Sequence, residues 1–196
     1  METKMIAANS EETVWKRITA DLTGENPPLQ YHVLIYHDIH KIQLDIDIDP
    51  GGGFESGFET TTLTAALPDL NGFRFALHHE DFMDVIGKFF GLEDKEIGYA
   101  EFDTALIIKT NDAEKTKNIF SDKTARQVLQ SLTAFTLHTD KRNINEDTDT
   151  KEYFLEFEIE RGIVEVIELR KIYAAFAAVL TAIELMTKKD LVKNNL

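Results

Sequence analysis

Four histidines carry the side chains best suited to hold a metal ion. His37 and His40 enclose Asp38-Ile39, and His78-His79 runs straight into Glu80-Asp81. Imidazole nitrogens and carboxylate oxygens form a donor set for zinc and other divalent ions, and two such groups at two strand ends could meet over one ion. The spacing matches no standard zinc pattern. Adjacent histidines on a strand also point to opposite faces, so only one of His78 and His79 could readily join a shared site. Glu80 and Asp81 have a plainer role as acids at a helix start, facing the positive end of the helix dipole. Asp45-x-Asp47-x-Asp49 has the one-three-five spacing of a calcium loop, but position six is Pro50 and position twelve is Ser56. Calcium loops need glycine and a bidentate glutamate there. Ile46 and Ile48, set between the aspartates, explain the spacing as a strand with one wet face.

Gly51-Gly52-Gly53-Phe54-Glu55-Ser56-Gly57 suggests a phosphate cradle until its positions are compared with one. A Walker loop needs lysine after its last glycine, where Phe58 stands, and Ser56 occupies the third glycine of a dinucleotide fingerprint. Ser56 also lacks the glycines two residues to each side that a nucleophile elbow requires. This run reads as a flexible hairpin connection. The chain has no cysteine, which excludes disulfides, thiolate nucleophiles and thiolate-ligated zinc. Acid–base pairs cannot be picked out by proximity, because 35 acidic residues stand against 21 basic ones. Glu156, Glu158 and Glu160 fall on one face of a strand, where solvation is the expectation. No catalytic, cofactor-binding or metal-ligating residue is assigned, and the expectation is a protein without stoichiometric zinc or calcium.

The formal charge of −14 over 196 residues argues against nucleic acid as a partner, since a duplex binder needs clustered Lys and Arg to neutralise phosphates. It also opposes anionic membrane surfaces. Residues 1–12 contain no apolar run that could be a signal-peptide core, and the most apolar stretch, 172–183, is too short to span a bilayer. A soluble cytoplasmic protein is the expectation.

These side chains must be positioned by elements of two periods. Asn9 or Ser10 caps a first helix, residues 9–23, with Val14, Trp15, Ile18 and Leu22 on one face. A sheet-rich half, residues 30–91, follows. Tyr31, Val33 and Ile35, then Ile42, Leu44, Ile46 and Ile48, alternate with polar residues as a hairpin. Residues 58–67 and Phe73-x-Phe75-x-Leu77 are two more strands, and a helix runs from Glu80 to Gly91. The second half, residues 97–190, reads strand, helix, helix, strand, strand, helix. Its strand extends from Phe102 to Lys109. Asn111 or Asp112 caps one short helix, and Ser121-Asp122 starts another with Val128, Leu129 and Leu132 inward. Phe135 and Leu137 mark a strand. Residues 140–151, charged and polar, read as an exposed loop. Tyr153, Leu155, Phe157 and Ile159 mark the last strand before a helix from Val164 to Lys188. The fold class is a single α+β domain: an antiparallel sheet, helices packed mainly on one face and a long C-terminal helix.

Residues 89–103, Phe-Phe-Gly-Leu-Glu-Asp-Lys-Glu-Ile-Gly-Tyr-Ala-Glu-Phe-Asp, resemble a segment of an uncharacterised bacterial protein family, a domain of unknown function. That family carries an aromatic-Gly, an acidic stretch, Ile-Gly-Asp, then Phe-Asp and a strand ending in Asn-Asp; here Tyr99 replaces the Asp. The similarity extends from about Phe73 to the C-terminus. It implies no activity, and its residues read as structural. Gly98 suits a backbone conformation closed to other residues, Phe102 is buried, and Asp103 binds nearby amides.

On this basis the leading functional expectation is a non-catalytic intracellular binding or interaction module. The alternative is a small-molecule or lipid pocket protein of START-like helix-grip form, and an enzyme with an unrecognised site is third. In the C-terminal helix, Leu169, Ile172, Phe176, Val179, Ile183 and Met186 form one seam and Ala174, Ala175, Ala177, Ala178 and Ala182 fill much of the rest. Core burial explains the seam, and a homodimer through this helix is the second expectation.

Overall fold

The computed structural model describes residues 3–8, 10–24, 27–37, 39–52, 56–79, 91–145 and 150–193. In chain order its elements are β1 (Lys4–Ala7), α1 (Glu11–Leu22), β2 (Gln30–His37), β3 (His40–Asp49), β4 (Phe58–Leu67), β5 (Phe75–His78) and β6 (Glu93–Asp94). There follow α2 (Ala100–Ala105), β7 (Ile107–Thr110), α3 (Ala113–Ile119), α4 (Lys123–Gln130), β8 (Phe135–Asn145), β9 (Thr150–Ile159) and α5 (Val166–Lys193). The strands form one sheet in the order β1-β2-β3-β4-β9-β8-β5-β7-β6. Every neighbouring pair is antiparallel except β1 and β2, so the sheet is mixed and the class is α+β.

Register shows why the alternation in the sequence matters. Val33, Leu44, Leu63, Phe157, Leu137, Leu77 and Ile108 are successive partners across seven strands, and all are buried. The row one residue away reads Leu34, Gln43, Thr64, Glu156, His138, Ala76 and Lys109, on the opposite face. The first row belongs to an inner face that the helices cover. There Phe75, Phe102, Phe120, Phe135, Phe157 and Phe176 are each at most 1% exposed and belong to a single core. Phe75 and Phe120 meet edge to face at 5.5 Å, and Phe135 stacks on Phe157 at 5.7 Å. Burying each such side chain contributes about 1.5–3 kcal/mol.

The helices start where short polar side chains satisfy orphan amides. Ser10 Oγ accepts from Thr13 N at 3.3 Å, Asp112 Oδ1 from Lys115 N at 3.0 Å and Asp122 Oδ1 from Ala125 N at 2.8 Å. Helix α5 opens two residues later than Val164, with Glu165 accepting from Ile167 N and Glu168 N. Its seam from Leu169 to Ile183 is buried. Ala174, Ala175 and Ala178 share a crevice with Ala125 and Val128 of α4, so the chain's own helix lies along part of the alanine face.

Some expectations need correction. Strand β1 was not anticipated, because only Ile6 is buried in Lys4–Ala7 and no alternation is legible. The strand expected from Phe102 begins only at Ile107, since residues 100–105 are helical. Asp103 is the cause: its carboxylate accepts from Ile97 N, Gly98 N and Tyr99 N at 2.9, 2.8 and 3.0 Å, gathering the amides that precede a helix. Gly98, at φ 84°, makes the turn that brings them together, and Phe102 is buried as expected, though on a helix. The exposed loop expected at 140–151 is largely strand. Asp140 pairs Phe154, Lys141 pairs Tyr153, Arg142 pairs Glu152 and Asn143 pairs Lys151, so the polar residues extend the β8–β9 hairpin. The helix expected from Glu80 to Gly91 falls on residues 80–90, outside the described residues, and only its expected stop, Gly91, is described.

Candidate functional site

The histidine groups do not come together. His40 Nε2 is 3.4 Å from Glu184 Oε2 and 3.4 Å from Thr181 Oγ1, which ties the β2–β3 turn to α5. His78 is buried in β5 with Nδ1 3.0 Å from the His79 carbonyl. Strands β4, β9 and β8 stand between β3 and β5. Among the described residues, no group of three or more His, Asp or Glu stands together as a metal site.

The aspartates of β3 occupy the outer face as the alternation requires, but Asp45 and Asp47 are only partly in water. His32 of the neighbouring strand lies between them, with Nδ1 2.8 Å from Asp45 Oδ1 and Nε2 3.6 Å from Asp47 Oδ1. Asp49 instead accepts from Gly51 N at 2.9 Å and starts the glycine loop. Residues 53–55 of that loop lie outside the described residues.

Glu156 departs further from expectation. It sits mid-strand in β9 with its side chain only 13% exposed, whereas a solvated position had been expected. The reason is its cross-strand neighbour. His138 lies directly opposite on β8, its side chain 5% exposed, with Nε2 4.0 Å from Glu156 Oε1. The Arg142 guanidinium pairs with the other Glu156 oxygen and donates through Nε to Asp140 Oδ2 at 2.7 Å. Lys141 N donates to Asp140 Oδ1 at 2.8 Å. Burial alone would push the Asp140 carboxyl up, but the Arg142 and Lys141 hydrogen bonds and the charges of Arg142 and His138 together hold it below the usual carboxylate range.

A cleft of about 690 Å³ opens at this cluster, where β5 and β8 part. The ladder between them ends at Ala76↔His138. Beyond it the Thr139 hydroxyl accepts from Phe75 N at 3.2 Å and donates to Phe75 O at 3.5 Å. The chain leading into β5 is held elsewhere. Asn71 and Gly72, at φ 50° and 81°, make a tight turn closed by Phe73 N donating to Leu70 O at 3.0 Å. Asn111 then clamps the corner: its Nδ2 donates to Gly72 O at 2.8 Å and its Oδ1 accepts from Arg74 N at 2.9 Å. Thr110 Oγ1 donates to Arg74 O at 3.1 Å. Gly72 and Arg74 therefore line one side of the cleft, and β8 from His138 to Arg142 lines the other, with Tyr153 and Glu156 of β9. Lys141 Nζ lies 4.8 Å from the Tyr153 ring centroid. Fixed charges and donors in this arrangement suit the holding of a polar group.

Next to the cleft the outer face turns apolar. Phe154, under the Arg142 guanidinium at 5.1 Å, is the cross-strand partner of Ala66, and Tyr36 pairs Lys41 on the adjoining strand. Met5 pairs Leu34 at the β1 edge. Met5 is 66% and Tyr36 36% exposed. On the helix side α1 and α5 border a cleft of about 600 Å³ and α3 and α5 one of about 570 Å³, while the phenylalanine core packs between the helices and the sheet.

Sequence reasoning missed His138, Arg142 and Arg74. The available signal was His138-x-Asp140-x-Arg142, an alternating polar set, but it falls in the stretch read as a loop. Asn71-Gly72 was an unused turn signal. No protein family, curated protein or solved structure matches the chain. Among the described residues, no helix is long and apolar enough to cross a membrane.

Proposed function

We propose that the chain is a non-catalytic binding module that takes its partner on the outer face of the sheet. The observation that carries this reading is a strip of exposed Met5, Tyr36 and Ala66 with half-buried Leu34 and Phe154, crossed by Lys41, which continues into the charged cleft while the opposite face is filled by the chain's own core. Apolar and aromatic side chains bordered by charge are the composition of a recognition surface: the first supply buried area and the second set orientation. The same reading puts the protein in the cytoplasm, with neither nucleic acid nor membrane as its partner, and keeps the unassigned bacterial family as its kin.

The test is chemical cross-linking in the source cell followed by quantitation of the joined protein. Tyr36→Asp with Ala66→Asp places charge in the strip, and Leu29→Asp, at an exposed site ahead of β2 and away from the strip and α5, is the control. A partner joined to the wild type and the control but lost with the double variant supports the reading. Equal recovery from all three refutes it. Homodimerisation through α5 is the second reading, favoured by the exposure of Ile167, Ala174 and Leu185 beside its buried seam. Light scattering that shows a dimer broken by Ala178→Arg supports it, and a strict monomer at high concentration removes it.

A further inference from the structure

The cleft between β5 and β8 differs in charge from the chain that contains it. The protein as a whole carries −14, yet among the described residues Arg74, Lys141 and Arg142 line the cleft against Asp140 and Glu156. Both carboxylates are already engaged by Arg142. Arg74 is different: among the described residues no carboxylate lies within ion-pair distance of it. Its backbone, however, is fixed by three hydrogen bonds, to Asn111 Oδ1, from Asn111 N at 3.3 Å and from Thr110 Oγ1. An arginine held at its base and unpaired at its tip has lost part of the freedom that binding would otherwise remove. Gly72, on the cleft wall beside Arg74, has no side chain to fill the adjoining space.

We propose that this cleft is a binding site for a small oxyanion, a carboxylate or phosphate group of a small molecule, anchored by the Arg74 guanidinium. The planar guanidinium matches either group in a two-bond fork, and Lys141 adds a second positive charge on the opposite wall. His138, buried beside Glu156, forms part of the cleft wall. Arg142 pairs with the two carboxylates of the cleft, offsetting their charge against the incoming anion, and is a positioning residue. This site goes beyond the binding-module reading, because it stands whether or not the apolar strip docks a macromolecule.

The experiment is a titration of the ¹⁵N-labelled full chain with sodium phosphate, and separately with sodium succinate, each at constant ionic strength set by sodium chloride. Saturable shifts at the Arg74 Nε–H and the Thr139–Arg142 amides are expected, with a Kd that Arg74→Gln weakens by about tenfold or more, as removal of a charge-assisted pair does. Arg170→Gln, which breaks only the surface pair with Glu11, should leave that Kd unchanged. Saturation by phosphate alone assigns a phosphate ligand, and saturation by succinate alone a carboxylate. Shifts that stay linear and equal those from chloride would overturn the proposal. So would a Kd indifferent to Arg74→Gln in a variant whose amide spectrum shows it folded.

Discussion

The two faces of one sheet divide the molecule's work. On the inner face the registered row from Val33 to Ile108 is apolar at every strand, and the helices seal it. On the outer face one residue along, the row passes from leucine through glutamine, threonine and glutamate to a buried histidine. A shift of one residue exchanges the two sets. Most of the apolar burial therefore lies in one set of positions, the proposed recognition surface lies in the other, and substitutions can address them separately.

The largest effect should come from crossing the faces. Ile46→Asp puts a carboxylate at a position with no exposure and no cationic partner, and should cost several kcal/mol, on the order of 4 or more, in urea unfolding. Wild-type stability in that variant would break the assignment of faces. Phe157→Ala, which removes the ring stacked on Phe135, should cost about 3–5 kcal/mol by the same measurement. Asp103→Ala tests the turn into α2 rather than the sheet: freeing three amides should cost about 1–3 kcal/mol and speed exchange of the Ile97, Gly98 and Tyr99 amides.

A smaller effect belongs to the outer face. Asp140 has a depressed folded pKa, so its contribution is present above the unfolded carboxylate value, about pH 4, and is lost as pH falls through the folded one. The stability gap between wild type and Asp140→Asn should therefore be widest near neutrality and close in acid. A gap that widens on acidification would contradict the Arg142–Asp140 pairing. With 39% of the carboxylate side chain exposed, solvent keeps the effect modest.

Legibility in the sequence followed the same division. The β2–β3 hairpin and β9 were readable because a face buried against helices forces strict alternation, as Ile42, Leu44 and Ile46 show. The caps Ser10, Asp112 and Asp122 were readable because capping is local chemistry. What failed depends on partners distant in sequence. Residues 140–145 look like a loop until β9 lies beside them, and Glu156 looks solvated until His138 and Arg142 cover it. Phe102 looks like the first residue of a strand because its burial suits a strand or a helix equally. Only the reach of Asp103 back to Ile97 decides for the helix. The candidate site was illegible for a further reason: Arg74, just ahead of β5, and Arg142 of β8 approach one cleft from positions more than sixty residues apart, and nothing local announces it.

The central claim, that the outer face is dispensable for folding and needed for binding, is tested most directly on one sample of the Tyr36→Asp, Ala66→Asp double variant. Lys41 stands between these positions on the outer face, and each change is at an exposed site. Urea unfolding of that sample should stay within about 1 kcal/mol of wild type with an unchanged slope, while the cross-linked partner is lost. A fall of more than about 3 kcal/mol, or full partner recovery from the folded variant, would contradict the account.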